Sequence, residues 1–317
     1  MKNVKVLNQV IEKDWALYHG DSVEVLQGIP SGTIPYTIFS PPFASLYTFS
    51  DSARDMSNCK QETEFMAHFK FLVEELYRVT MPGRLLSFHC CNLPITKNRN
   101  GYIGIHDFRG DLIRLFQECG WIFHSEVCIW KDPVTSMQRT KAIGLLHKQV
   151  CKDSAMSRQG IPDYLVTMRK HGDNPEPISG PFQYYAGENP PQFKESNRGK
   201  EAENKSIQIW QNYASPVWMD IRQGDTLQRE SARDNNDERH ISPMQLQIME
   251  RAYQLWTNPG DVVLDPFNGI GSSGHVALKM GRKYIGVELK ESYYKCAVNN
   301  LRNAVDSRQG QLSILCA

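Results

Sequence analysis

The chain has 317 residues, and its 36 Lys and Arg nearly balance 35 Asp and Glu, which leaves a formal net charge of +1. This length allows one large α/β domain or two smaller ones. The 40% hydrophobic and 22% charged residues are typical of a soluble globular protein and exclude wholesale disorder. No apolar run approaches the roughly 20 residues of a membrane helix and no secretory signal opens the chain, so we expect a cytoplasmic protein without a membrane partner.

The eight cysteines and the charge balance restrict the candidate functions further. None of the cysteines, including the adjacent Cys90 and Cys91, belongs to a C-x-x-C pair, so we expect no metal site. A net charge near zero excludes a protein that coats nucleic acid through bulk charge. It does not exclude one that grips a single site, because the charge can be distributed unevenly along the chain.

Two stretches of the chain alternate predicted strands with predicted helices. In the first, apolar periodicity predicts strands at 15–18, 34–39, 85–88, 121–130 and 164–169, and helices at 62–80 and 107–118. We expect Pro82-Gly83 to end the helix 62–80 and Pro243 to occupy the first position of a later helix. The second stretch continues with strands at 261–264 and 284–287, a helix that ends at 280, and a helix at 291–304. This alternation predicts an α/β fold with a mostly parallel sheet.

Residues 171–239 interrupt the alternation. Pro, Asn, Gln, Glu and Gly dominate there without a clear period, which predicts a loop-rich insertion. Trp210 and Trp218 are expected to form a small core within it. We therefore predict one catalytic domain, made of 1–170 and 240–317, with 171–239 as an inserted region.

A glycine-rich loop follows the predicted strand 261–264. Gly269, Gly271 and Gly274 satisfy the pattern G-x-G-x-x-G, and Glu288 stands at the end of the next strand. Such a loop binds the adenosine end of a cofactor, either a nicotinamide dinucleotide or S-adenosylmethionine. Asp265 at the start of the loop favours the second, because a carboxylate would repel a pyrophosphate and attract an ammonium and a sulfonium.

The tetrapeptide Ser40-Pro41-Pro42-Phe43 ends the predicted strand 34–39. Two prolines fix the backbone and remove two amide donors, so the strand should end in a rigid, extended corner. The Ser40 hydroxyl and the Pro41 carbonyl can then accept hydrogen bonds beside the flat face of Phe43. Such a corner suits a planar ligand with an exocyclic amine, for example a base rotated out of its stack.

Together the two motifs resemble those of the DNA amino-methyltransferases, which modify N4 of cytosine or N6 of adenine. The family's [DNS]-P-P-[YFW] motif matches Ser40 to Phe43, and its D-P-F-x-G-x-G motif matches Asp265 to Gly271. The catalytic motif comes first here, an order that resembles the permuted β group. The resemblance implies a Rossmann-like methyltransferase fold, with a mostly parallel seven-stranded sheet and helices on both faces.

The resemblance also implies a cofactor, S-adenosylmethionine, and roles for individual residues. Ser40 and the Pro41 carbonyl would bind the target amine, Pro42 would keep the corner rigid, and Phe43 would stack on the base. Glu288 would bind the ribose hydroxyls, and His240 could equally cap the following helix. The full set of implied cofactor-binding residues is Asp21, His240, Ser242, Asp265, Pro266, Phe267, Asn268, Gly269, Gly271 and Glu288.

The sequence leaves the target base open. Members with serine in the first motif position resemble the cytosine-N4 enzymes, which favours cytosine, but N6 of adenine would need the same mechanism. Further alternatives are a nicotinamide oxidoreductase, which leaves Ser-Pro-Pro-Phe unexplained, a non-catalytic DNA-binding relative, and a methyltransferase acting on RNA. The resemblance implies a bacterial or phage-encoded protein, with DNA and a cognate restriction endonuclease as candidate partners, while monomer and homodimer both stay open.

Residues 131–170 contain eight Lys and Arg and three acids, a local charge of +5. Such a strip predicts contacts with DNA phosphates, with a solvated basic face as the alternative. The predicted contact residues are Arg139, Lys141, Lys148, Lys152 and Arg158. The polar insertion 171–239 is expected to recognise the target sequence, because polar side chains read base edges.

Overall fold

The computed structural model describes residues 6–42, 62–140, 143–178, 198–227 and 243–315. The strands within these ranges are β1 (Asn8–Ile11), β2 (Trp15–His19), β3 (Ile34–Phe39), β4 (Thr80–Cys91), β5 (Leu93–Ile95), β6 (Gly104–His106), β7 (Ile122–Ile129), β8 (Asp163–Arg169), β9 (Val217–Trp218), β10 (Val262–Asp265) and β11 (Lys283–Glu288). The helices are α1 (Ser22–Leu26), α2 (Glu62–Val79), α3 (Lys97–Asn100), α4 (Phe108–Glu118), α5 (Pro133–Thr140), α6 (His147–Lys152), α7 (Arg198–Ala214), α8 (Leu246–Trp256), α9 (Ser272–Lys279) and α10 (Glu291–Leu315). None of these helices has the length and apolar character needed to cross a membrane.

In the described part of the chain, nine strands form one sheet in the order β1-β2-β11-β10-β3-β4-β8-β7-β9, and β5 and β6 form a separate hairpin. The five central strands, β2, β11, β10, β3 and β4, are mutually parallel. β8 runs antiparallel to both β4 and β7, and β1 runs antiparallel to β2. The predicted α/β class and mostly parallel sheet are therefore confirmed, but the predicted number of seven strands is wrong because the short β1 and β9 add an edge strand on each side.

The strand order reverses between β10 and β3. From β10 the chain moves through α9 to β11 on one side, and from β3 it moves through α2 to β4 on the other. The two strands are parallel neighbours, so their carboxyl ends lie side by side. In open α/β sheets a ligand binds in the crevice that such a reversal leaves at the carboxyl ends of the strands.

Helices cover both faces of the sheet. Adjacent residues of one strand point to opposite faces, and here Leu264 belongs to one apolar cluster while Val263 belongs to the other. The first cluster packs α2 and α4 against the sheet, and the second packs α8, α9 and α10. The predicted helical stripe of α2 is buried throughout, and its side chains are Phe65, Phe69, Leu72, Leu76 and Val79.

Several predicted element boundaries are wrong, and α10, predicted to end at 304, continues to Leu315. Helix α2 ends at Val79, and Pro82-Gly83 lies inside β4, where the register with β3 shifts between Thr80 and Leu85 and leaves room for a residue without an amide donor. Helix α8 begins at Leu246 rather than at Pro243. Its first amide donates to the carbonyl of Asp225 at 2.8 Å, and the preceding Gln245 is extended.

The described part of the insertion 171–239 is less loop-rich than its composition predicts. It contains the 17-residue helix α7 and the edge strand β9, which pairs with β7. Trp218 is 1% exposed and packs in the main core, whereas Trp210 is 50% exposed. The prediction that Trp210 and Trp218 form a separate small core is therefore wrong. Trp218 on β9 packs in the apolar cluster beneath the main sheet, and Trp210 is half-exposed.

Candidate active site and cofactor site

The glycine loop joins the end of β10 to the start of α9. Gly269 and Gly271 have φ angles of +56° and +86°, which side chains with a Cβ rarely adopt. A Cβ on Gly269 would meet no atom within 4 Å, so this glycine borders open space. A Cβ on Gly274 would lie 2.5 Å from both Leu301 and Tyr284, so the third glycine permits close packing of α9 instead. Gly269 and Gly271 thus allow the turn, Gly269 also leaves open space beside it, and Gly274 allows α9 to pack closely.

Glu288 stands at the end of β11 and faces the same loop. Its Oε2 accepts the amide of Gly269 at 2.7 Å, and its Oε1 accepts the amide of Lys290 at 2.8 Å. These bonds hold the carboxylate at the carboxyl end of β11, beside the glycine loop. The role of Glu288 beside a ribose stays a prediction.

Asp265 has different surroundings from those expected. Its carboxylate is 5% exposed, accepts the amide of Phe267 at 2.9 Å, and accepts the hydroxyl of Ser273. Burial raises the pKa of Asp265 to about 7, against the opposing effect of these hydrogen bonds. The side chain therefore fixes the loop from inside, and it does not present an open carboxylate to a positively charged ligand.

Asn268 and Pro266 are held by the surrounding elements. The hydroxyl of Tyr284 donates to Oδ1 of the buried Asn268 at 2.7 Å, and the Asn268 side-chain amide donates to the Gly269 carbonyl at 2.8 Å. The hydroxyl of Ser22 on α1 donates to the Pro266 carbonyl. These bonds hold the loop in one conformation, so its backbone is preorganised for a ligand.

Two further predicted cofactor residues also have structural contacts. Asp21 caps α1, because its carboxylate accepts the amides of Val23 at 2.8 Å and Glu24 at 3.2 Å. The ring of Phe267 lies 5.7 Å from that of Phe39 at the end of β3, so it joins the cofactor loop to the catalytic strand. His240 and Ser242 lie outside the described residues.

The catalytic corner follows β3 directly. Pro41 is buried, and Ser40 and Pro42 are half-buried at the carboxyl end of the strand. Phe43 lies outside the described residues. The hydroxyl oxygen of Ser40 lies 3.2 Å from Nδ1 of His89, a residue of β4 that the sequence analysis does not single out. Ser40 is thus one end of a polar chain.

The chain continues from His89 to Asp163 and Lys131. Nε2 of His89 lies 3.4 Å from Oδ2 of Asp163, and Oδ1 of Asp163 is paired with the ammonium of Lys131. Burial alone would raise the pKa of Asp163, but the neighbouring His89 and Lys131 outweigh it and lower the pKa to about 2. Asp163 is therefore a buried carboxylate that stays ionised.

The predicted basic strip does not form one surface. Lys148 and Lys152 are exposed on α6 and lie four residues apart, a spacing that places them on the same helix face. Arg158 is half-buried, and burial lowers its pKa. Lys131 is committed to Asp163. Lys141 and the side chain of Arg139 lie outside the described residues.

The remaining positive charge of the strip lies at the far end of β8. Lys170 follows this strand, and its ammonium donates to the Thr80 carbonyl at 2.7 Å and lies 4.9 Å from the ring centre of Tyr77. Asp163 is the first residue of β8 and Lys170 follows its last, so seven steps along the strand separate them, which span about 20 Å. Lys170 therefore lies at the opposite end of the strands from Asp163 and the catalytic corner.

Comparison with known proteins identifies the family. A model of the N6/N4 DNA methylase family matches residues 34–299. The chain belongs to this family. Membership confirms the amino-methyltransferase family, the methyltransferase fold and the methyl donor, S-adenosylmethionine, that the sequence predicts. The alternative of a nicotinamide oxidoreductase is not supported.

Individual relatives are similar over most of the chain. The orphan methyltransferase M.BamHII of Bacillus amyloliquefaciens is 25% identical over 283 residues, which are 88% of this chain and 92% of the relative. A candidate DNA modification methylase of Thermus thermophilus, solved with S-adenosyl-L-methionine, superposes with a TM-score of 0.63 at 19% identity and covers 91% and 93% of the two chains. The cytosine-N4-specific PvuII DNA methyltransferase gives a TM-score of 0.55 at 18% identity and covers 94% and 92%. The two structures share the fold of this DNA methylase.

Proposed function

We propose that this DNA methylase transfers the methyl group of S-adenosylmethionine to the exocyclic amine of a DNA base, with N4 of cytosine as the preferred target. One observation carries the proposal: the carboxyl ends of β3 and β10 adjoin where the strand order reverses. Ser40 follows β3 and the glycine loop follows β10. An amine held at Ser40 and a methyl donor held at the loop would therefore meet at one edge of the sheet.

The glycine loop fits the methyl donor. Gly269 borders open space in a left-handed conformation, and the carboxylate of Glu288 stands beside it, a group that binds ribose hydroxyls in such folds. S-adenosylmethionine, when bound, supplies a methyl group on a positively charged sulfur. In this proposal the loop backbone from Asn268 to Gly271 contacts the cofactor, and Asp265 keeps the loop in shape.

The catalytic corner fits the amine. The Ser40 hydroxyl and the Pro41 carbonyl would each accept one N–H of the target amine, and Phe43 would stack on the base. Two such bonds hold the nitrogen lone pair out of conjugation with the ring and direct it at the methyl group. The rate then depends on positioning and electrostatics, without a covalent intermediate.

Cytosine is the preferred base in this proposal because serine occupies the first position of the catalytic motif. N6 of adenine is the alternative, because the adenine amine would make the same contacts with Ser40 and Pro41.

We also infer that the region 171–239 contributes to recognition of the target sequence. Helix α7 lies in this region and exposes Trp210 and Ile207, which are 50% and 49% exposed. Lys148 and Lys152 of α6 are the proposed phosphate contacts, since both are exposed. These contacts would position the duplex without reading its sequence.

Mass spectrometry of methylated DNA tests the proposed function. Unmodified DNA is incubated with the protein and S-adenosylmethionine, digested to nucleosides and separated. N4-methylcytosine is the expected product, and N6-methyladenine would instead select the alternative base. Absence of both from a reaction with folded protein on DNA of varied sequence would overturn the proposal.

A pair of serine variants shows whether any methylation arises at the proposed corner. Ser40→Ala should reduce kcat by about 10²–10³-fold, the range found when one group that binds the reacting centre is removed. Ser307→Ala is the matched control, because this exposed serine of α10 lies far along the chain from the site. Equal activity of the two variants would remove Ser40 from the mechanism.

A further inference from the structure

We propose that His89, held by Asp163 and Lys131, orients the Ser40 hydroxyl so that its oxygen faces the target as a hydrogen-bond acceptor. The inference rests on the proposed function, because it assigns a direction to a hydrogen bond at the proposed catalytic corner. His89, Asp163 and Lys131 are positioning residues in it. They act through Ser40 and need not touch the base.

The four side chains converge from four segments of the sheet edge. Ser40 follows β3, His89 lies near the end of β4, Asp163 begins β8, and Lys131 follows β7. The antiparallel register pairs Cys91 of β4 with Asp163, which brings the carboxylate within reach of the imidazole. The resulting contacts run from Ser40 Oγ to His89 Nδ1 at 3.2 Å, and from His89 Nε2 to Asp163 Oδ2 at 3.4 Å.

The charge of Asp163 selects the tautomer of His89. An ionised carboxylate has no proton to donate, and the ammonium of Lys131 on its other oxygen keeps it ionised. Nε2 of His89 is buried without a hydrogen bond of good geometry, and its contact with Oδ2 of Asp163 at 3.4 Å is electrostatic. The negative charge of the carboxylate favours a proton on this nitrogen. In a neutral imidazole the other nitrogen is then an acceptor. Nδ1 consequently accepts a hydrogen bond from the Ser40 hydroxyl.

This direction leaves Ser40 with acceptor capacity only. Its single proton is directed at Nδ1, so the lone pairs of its oxygen face the open side of the corner. A base amine can donate to this oxygen, whereas a base carbonyl would place two acceptors against each other. The chain from Lys131 to Ser40 thus selects bases with an exocyclic amine, adenine or cytosine, against those with a carbonyl at that position, guanine or thymine.

The tautomer can be measured without turnover. In protein labelled with ¹⁵N-histidine, long-range ¹H–¹⁵N spectra distinguish protonated from bare ring nitrogens, and the loss of one set of signals in His89→Asn assigns His89. We expect a protonated Nε2 and a bare Nδ1. A protonated Nδ1 at neutral pH would overturn the proposal. In Asp163→Asn the preference for the protonated Nε2 should weaken, and an unchanged tautomer would contradict the role given to Asp163.

Two variants of His89 separate orientation from packing. Asparagine places a carbonyl oxygen near the position of Nδ1, so His89→Asn should accept from Ser40 and retain most of kcat. Glutamine reaches the position of Nε2 and leaves no acceptor for Ser40, so His89→Gln should lose about 10²-fold in kcat, the effect of a misdirected reacting group. KM for DNA and Kd for the cofactor should stay close to wild type in both. Equal kcat values for the two variants would overturn the proposal.

The two measurements also separate this inference from the proposed function. If the wild-type protein methylates no DNA, the proposed function fails, and the tautomer of His89 still decides whether Ser40 is an oriented acceptor. If the wild-type protein methylates DNA but His89→Gln equals His89→Asn, the function stands and the positioning role fails. The thermal unfolding midpoint of each variant is compared with that of the wild-type protein, so that a decrease in kcat is distinguished from unfolding of the variant.

Discussion

Two buried aspartates stand at the carboxyl edge of the same sheet and have opposite pKa shifts. Asp265 in the cofactor loop and Asp163 near the catalytic corner are each 5% exposed. Burial raises the pKa of Asp265 to about 7, because its hydrogen-bond donors, Ser273 and the amide of Phe267, are neutral. His89 and Lys131 lower the pKa of Asp163 to about 2 despite the same burial. The partners, and not the burial, determine the charge.

The difference separates the tasks of the two regions. The cofactor loop receives a cation under our proposal, and its own shape is fixed by uncharged hydrogen bonds around Asp265. The catalytic corner instead keeps a permanent negative charge, neutralised by Lys131, whose effect reaches Ser40 through one imidazole. Neutral hydrogen bonds hold the loop backbone in place, whereas the charge of Asp163 also sets which nitrogen of His89 carries the proton.

The largest expected effect comes from removing the charge of Asp163. Asp163→Asn leaves the Lys131 ammonium without its carboxylate, and breaking a buried pair should lower the free energy of unfolding at pH 7 by about 3 kcal/mol. Asp265→Asn is the matched control, because its side-chain oxygen can still accept the amide of Phe267 while its NH2 group donates to the hydroxyl oxygen of Ser273, whose own proton can turn to Tyr284. Urea unfolding of both variants measures the difference. A loss in Asp265→Asn as large as in Asp163→Asn would erase the contrast between the regions.

The pH dependence of unfolding should have opposite signs at the two sites. Asp163 has a folded-state pKa of about 2, below its ordinary value of 3.8, so its contribution is present above pH 4 and is lost as the pH falls toward 2. Asp265 has a folded-state pKa of about 7, so its contribution is present below pH 4 and is lost as the pH rises toward 7. Each asparagine variant should flatten the profile in its own window. A change in the other window would contradict the assignment.

A smaller effect is expected at Glu288, which belongs to the cofactor region alone. Glu288→Ala removes the acceptor of the Gly269 amide and of the proposed ribose hydroxyls, so Kd for S-adenosylmethionine should rise by about 10- to 100-fold, the value of a charged hydrogen bond. Glu288→Gln keeps one acceptor oxygen, so its Kd for S-adenosylmethionine should lie between those of the wild-type protein and Glu288→Ala. Calorimetry measures Kd, and ¹⁵N spectra should show the His89 tautomer unchanged. A changed tautomer would mean that the two regions are coupled.

The sequence predicts the local parts of this site well. Apolar runs give the central strands, because a strand such as β3 is buried on both faces and contains few polar residues. The glycine loop is predictable because positive φ angles and close packing require glycine at Gly269, Gly271 and Gly274. Very short edge strands are less predictable, since two residues of β9 carry no period of their own.

The chain of positioning residues could not be predicted from local pattern. His89 and Asp163 meet because β4 and β8 pair in one antiparallel register, and nothing in either segment alone specifies that register. A polar residue at the end of each predicted strand was the available signal. The direction of β8 also explains why the basic strip is not one surface. The local charge of 131–170 includes both Lys131 and Lys170, but the two residues lie at opposite ends of β8.

The smallest expected effect concerns DNA affinity and tests that division of the strip. Each phosphate contact contributes about 0.9 to the slope of log K against log salt. Replacing both Lys148 and Lys152 with methionine should therefore reduce the slope by up to about 2, with weaker binding of all DNA sequences alike. Lys170→Met changes the same kind of charge within the same sequence window, but its ammonium is bound to the Thr80 carbonyl at the far edge. Fluorescence anisotropy at several salt concentrations should show an unchanged slope for Lys170→Met, and equal slopes for all three proteins would mean that α6 does not contact the phosphates.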